Sequence, residues 1–123
     1  MGYRSDRIVL QTLTAQGAAT VLGNWMDLRE FVSGAFYAAV NVTAGTLTPS
    51  FQMSADGTTA GLLSAALGVI PAAELATPAG ISTGVSVVRY PLIGAANLAW
   101  VRVSSVIATG PVTGVISFVG RTV

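Results

Sequence analysis

The chain of 123 residues has no cysteine, no histidine and, since all six of its cations are arginine, no lysine. Each absence closes off a class of chemistry. Without cysteine there is no disulfide framework, no thiolate metal site and no thiol nucleophile, and the redox compartment cannot be read. Without histidine as well, ordinary zinc sites, imidazole general bases and Ser-His-Asp triads are excluded. Without lysine, no Gly-rich loop of the G-x-x-x-x-G-K-[ST] type can hold a phosphate.

Charge is scarce too. Charged residues make up 9% of the chain and apolar residues 52%, against roughly 25% charged in an average soluble domain. So few charges cannot cover the surface in the usual way, and contiguous exposed apolar patches mark interfaces. The expectation is a protein that spends part of its surface on neighbours; the plainer alternative is a neutral coat of Ser, Thr, Gly and Ala. The net charge is +1, and the dispersed arginines form no basic stripe, so no nucleic-acid partner is expected.

Membrane partners are not expected either. The most apolar segment, 60–81, is broken by Pro71, Glu74 and Pro78, which makes a poor spanning helix. Arg4, Asp6 and Arg7 precede a short β-like run, so no secretory signal is read there. The only close carboxylate pair is Asp27 with Glu30, and a salt bridge to Arg29 explains it better than acid–base catalysis. Asp56-Gly57 reads as a tight turn, because one Asp without neighbouring carboxylates builds no calcium cage. No catalysis, cofactor, metal or small-molecule substrate is expected.

What is present is β pattern. In residues 46–54, Leu47, Pro49, Phe51 and Met53 alternate with Thr46, Thr48, Ser50, Gln52 and Ser54, giving one dry and one wet face. Residues 35–42 are more apolar on both sides, with Phe36, Ala38, Val40 and Val42 opposed by Tyr37, Ala39 and Asn41, as in a strand covered on both faces. The two runs read as a hairpin with a short Gly-containing turn. Residues 7–13 make a first strand; 15–22 reads as a second short strand after a turn or as part of the same edge; and 25–33 as a corner, with a short helix the alternative, in which Trp25 and Phe31 are core anchors. A short helix near 62–70 or a covering loop both fit the spacing of Leu63, Ala66, Leu67 and Ile70 before Pro71. Pro78, Gly80 and Gly84 suggest a connector, then 85–92 resumes β character.

In 98–108, Val101, Val103 and Ile107 share one face and Trp100, Arg102 and Ser104 the other, which suggests an aromatic–guanidinium contact between Trp100 and Arg102. Thr109-Gly110-Pro111 is read as turning the chain before a closing strand at 114–123. The total is seven or eight strands at roughly regular spacing. The fold expected is therefore all-β, a small antiparallel β-sandwich or jelly-roll-like barrel. A flexible arm is expected at 1–7 and a single domain at 8–123, long enough to bury roughly two-thirds of its unfolded surface.

The corner W-x-D-L-x-x-F-x-S, the segment FYAAVNVTAGTLTPSFQMSADGTT, then VVRYPL, LAWVRVSSVIA and ISFVGR resemble small β-sandwich virion proteins of tailed bacteriophages. The resemblance covers about residues 25–123 and rests on packing and turn residues. It implies a structural virion protein of the capsid decoration, or cement, type, made in the host cytoplasm. Such a protein sits on the capsid surface, bound to the major capsid protein and to itself, with a trimer favoured. The expected contact residues are Tyr3, Arg4 and Arg7 in the arm and Trp100 with Arg102 on an exposed strand face. A head–tail connector, neck or tail-tube component is the alternative within that group. A carbohydrate-binding or adhesion module displayed on a particle is the alternative outside it.

Overall fold

A computed structural model describes residues 5–54, 80–91 and 99–122. The described chain is all-β, as the alternation requires. Seven antiparallel strands follow in order: β1 (Ser5–Gln16), β2 (Ala19–Leu22), β3 (Met26–Asp27), β4 (Ser33–Ser54), β5 (Ile81–Pro91), β6 (Trp100–Thr109) and β7 (Val112–Arg121). They belong to one sheet ordered β1-β7-β4-β6-β2, with β5 on β4 and β3 on β6.

The expected hairpin at 35–54 is instead a single strand of 22 residues. Its first part pairs with β7, from Ser33 opposite Arg121 to Val42 opposite Val112. Its second part pairs with β6, from Gly45 opposite Thr109 to Ser54 opposite Trp100. The register is unbroken between them, so Thr109-Gly110-Pro111 does not reverse the chain; β6 and β7 run on in the same sense. β1, β2 and β3 follow their other edge antiparallel, with register shifts in β1 between Val9 and Gln11 and between Leu13 and Gln16. The sheet is thus made of long bent ribbons.

All of them bend at mid-length, and the bend folds the sheet over on itself. Phe36 and Phe51 lie on opposite halves of β4, yet their rings stack at 3.9 Å. Layer one therefore holds β1, β7, the first half of β4 and β5; layer two holds β2, β3, β6 and the second half of β4. Phe118 joins the stack from β7 at 5.2 Å from Phe36, with Phe31 edge-on to it at 5.3 Å. Tyr90 of β5 closes on Phe51 at 5.6 Å. Burying each ring stabilises by about 1.5–3 kcal/mol, and aromatic geometry adds about 0.5–1.5 kcal/mol per pair.

At the bend Gly45 has φ 76, and a Cβ there would run into the Ala108 carbonyl oxygen. The position admits only glycine, which also explains why composition suggested a turn: the same residue serves a tight turn and a sharp bulge. The corner's backbone groups are paired across it. The Thr43 N–H donates to the Pro111 carbonyl at 3.1 Å, and the Gly110 N–H to the Ala44 carbonyl at 2.9 Å. The Thr43 hydroxyl also donates to the Pro111 carbonyl, at 2.7 Å. A second tie between layers is buried: the Gln11 amide donates to the Val21 carbonyl at 3.1 Å and accepts from the Ser105 hydroxyl.

Other boundaries move as well. β1 starts at Ser5, because Ser5, Asp6 and Arg7 pair with Arg121, Gly120 and Val119; the last three residues of the segment expected as a loose arm are sheet. β5 starts at Ile81 rather than 85, with Gly84 inside it at φ 130 beside a bulge. Of the two anchors at the corner, Phe31 is core but Trp25 is half-exposed on the outside. Residues 1–4, the Asp56-Gly57 turn and the 62–70 helix lie outside the described residues.

Candidate functional site

Two outer faces remain once the layers close. That of layer two carries Trp100 and Arg102, as alternation along β6 predicts, but the two residues do not cap each other. The Arg102 guanidinium lies 4.5 Å from the centroid of the Trp25 ring, and its Nε donates to Gln52 Oε1 at 2.7 Å. The Arg29 guanidinium lies 5.5 Å from the Trp100 ring. It also grips Asp27 in a fork, with Nε to Oδ1 at 2.8 Å and Nη2 to Oδ2 at 2.7 Å. The Arg29 N–H adds a third hydrogen bond to Oδ1 at 3.1 Å. The side-chain hydrogen bonds from Arg29, helped by its N–H and its charge, hold the Asp27 carboxyl down at about 2. The local ion pair read from 25–33 is present, and each tryptophan takes a cation from a neighbouring segment.

The outer face of layer one is different. Reading across β1, β7, β4 and β5, it presents Arg7, Val119, Ala35 and Pro91 in one row. Val9, Ser117, Tyr37 and Arg89 form the next, and Thr12, Val115, Ala39 and Val87 the one after. Val85 follows opposite Asn41. Val85 is 83% exposed and Val87 74%, with Val9 at 46% and Val119 at 36%. The first half of β4 was expected to be covered on both faces; its Phe36 side is buried throughout, whereas on the other side Ala35 is buried, Tyr37 half-buried, and Ala39 and Asn41 exposed. Layer two also exposes Leu22 and Val106, but among Thr20, Thr48 and Ser50.

Ser33, Ala35, Tyr37, Arg89, Val119 and Arg121 line an open groove of about 330 Å³ on the layer-one face. Of the residues singled out from sequence, Arg7 lies beside this groove and Trp100 and Arg102 on the opposite face, so the structure does not bring them together. Tyr3 and Arg4 lie outside the described residues. Tyr37, Val85, Val87 and Arg89 were not singled out, although two-sided apolarity at 35–42 and the run VSVVRY carried the signal. Among the described residues no cluster of three His, Cys, Asp or Glu is placed to hold a metal. No helix among them is long and apolar enough to cross a membrane.

No family model matches the chain. No curated protein matches it either. Among solved structures, one described as "Bacillus endospore appendages form a novel family of disulfide-linked pili" superposes with a TM-score of 0.54. The match covers 98% of this chain and 87% of that one at 14% identity.

At that identity the likeness is one of fold. The layered arrangement of bent strands is shared, whereas the covalent link named for the pili has no counterpart in a chain without cysteine.

Proposed function

We propose that the chain is a non-catalytic structural subunit that works by packing against other protein surfaces in a many-copy assembly. The observation that carries this reading is the layer-one outer face, where Val85 and Val87 stand 83% and 74% exposed beside the half-buried Tyr37. A sheet face of this kind loses free energy in water and recovers about 25 cal/mol for each Å² of apolar surface covered. Single contacts of that size are modest, and repetition over a lattice multiplies them. The assembly proposed is a bacteriophage capsid, with the chain decorating and stabilising the shell through the major capsid protein and copies of itself; the resemblance of 25–123 to small virion proteins supports that choice.

The shared fold with an appendage subunit favours a second reading, a subunit of a filament held without disulfides. Co-purification with isocahedral particles followed by copy counting separates the two: hundreds of copies per particle are expected for decoration. Recovery in filaments that survive without reducing-agent sensitivity would favour the second. A glycan array with the Trp100→Ala variant as control checks the adhesion alternative, for which no binding is expected.

A further inference from the structure

We infer that the outer face of layer one is the attachment face, and that its occupant is a carboxylate-bearing protein surface rather than a second copy of the same face. The inference rests on the assembly reading above and says which side of the molecule does the attaching.

Charge distribution identifies the occupant. Arg7, Arg89 and Arg121, three of the six cations in the chain, fall on this face or its lower edge by strand register. None of the acidic residues in the described strands alternates onto it: Asp6 points to the opposite side of β1, and Asp27 belongs to the other layer. No side chain among the described residues makes an ion pair with Arg7 or Arg89. On layer two, by contrast, Arg29 is held by Asp27 and Arg102 by Trp25 and Gln52. Arg7 and Arg89 thus keep their forked donors available for carboxylates, the geometry that guanidinium binds best.

The same charges argue against the simplest dimer. Two copies meeting face to face would bring both sets of arginines into one water-excluding contact, where like charges repel strongly. A nucleic acid would meet Val9, Val87 and Val119 between the arginines, with Tyr37 as the one stacking ring that the described residues place on the face, which suits it poorly. An acidic protein surface with apolar residues between its carboxylates matches both the valines and the cations. It also supplies the second cover that the apolar pattern of residues 35–42 calls for.

The test uses capsids stripped of this protein and re-incubated with the full chain, with bound protein measured by sedimentation. Arg89→Glu and Val87→Glu reverse or interrupt the face at exposed positions on β5, and Arg102→Ala is the control on the other layer; near-UV circular dichroism verifies that each is folded. Both β5 variants are expected to lose about tenfold or more in occupancy, Arg102→Ala to bind as wild type, and wild-type occupancy to fall as salt rises. Normal binding of folded Arg89→Glu and Val87→Glu overturns the assignment of the face while leaving the assembly reading intact. Failure of wild type to rejoin the capsids overturns the assembly reading and the occupant with it. Two further results overturn the occupant alone: a dimer of the isolated protein abolished by Val87→Glu, or binding to a short DNA duplex abolished by Arg89→Glu.

Discussion

The two outer faces of this small sandwich share only β4 and settle their charges in opposite ways. On layer two each arginine is engaged within the chain: Arg29 grips Asp27 and lies over Trp100, and Arg102 lies over Trp25 and donates to Gln52. On layer one the valines of β5 stand in water, and Arg7 and Arg89 lie beside them, with no carboxylate from the described strands on the same face. A face whose polar groups are already matched gains little from a partner. One that leaves apolar surface and forked cations unmatched gains from both terms at once.

Both faces depend on the two layers staying closed, and the largest expected effect comes from separating them. Phe51→Ala removes the ring that stacks on Phe36 from the other half of the same strand. It should cost about 3–5 kcal/mol in denaturant unfolding, and a loss under about 1 kcal/mol would show that the ring stack does not join the layers. Next comes the bend itself. Gly45→Ala puts a Cβ against the Ala108 carbonyl at a positive φ and should cost about 2–4 kcal/mol.

The third effect is one of pH. Tyr90 is buried on the inner side of β5, and burial pushes its hydroxyl up from 10.0 to about 12. Between those values the unfolded chain releases the proton and the folded chain keeps it, so stability falls as pH rises through that window, by about 1.4 kcal/mol per unit. Tyr90→Phe should flatten this alkaline limb in a melting series. Because Tyr90 anchors the strand that carries Val87 and Arg89, the limb also reports on the layer-one face.

The smallest effects compare the faces directly. Trp25→Ala removes the ring under Arg102 and should cost about 0.5–1 kcal/mol. Val87→Thr, on the face without internal partners, should change stability by less than about 0.5 kcal/mol while making the isolated protein more soluble. Equal costs for the two would erase the distinction between matched and unmatched faces.

Much of this fold was legible from residue order. Alternation in 46–54 placed Leu47, Phe51 and Met53 in the core, and alternation along β6 placed Val101, Val103 and Ile107 there; all six are buried. The bend was not legible, because Gly45 and Thr109-Gly110-Pro111 look the same in composition whether a chain reverses or folds its sheet over. Only the long-range pairing of Gly45 with Thr109 decides between them. Of the site, the outward direction of Trp100 and Arg102 was legible, but their capping partners were not, since Trp25 and Arg29 reach them through tertiary structure. The layer-one face was half-legible: residues 35–42 asked for cover on both sides, and among the described residues the Phe36 side is buried while Ala39 and Asn41 on the other stand exposed.

The most direct measurement is a map of the assembled particle at a resolution that traces strands. Tyr37, Val85, Val87 and Arg89 are expected to lie against a neighbouring protein with carboxylates near Arg7 and Arg89, while Trp25 and Trp100 face solvent. A particle in which the tryptophan face is covered and Val85 and Val87 remain in water would contradict this arrangement.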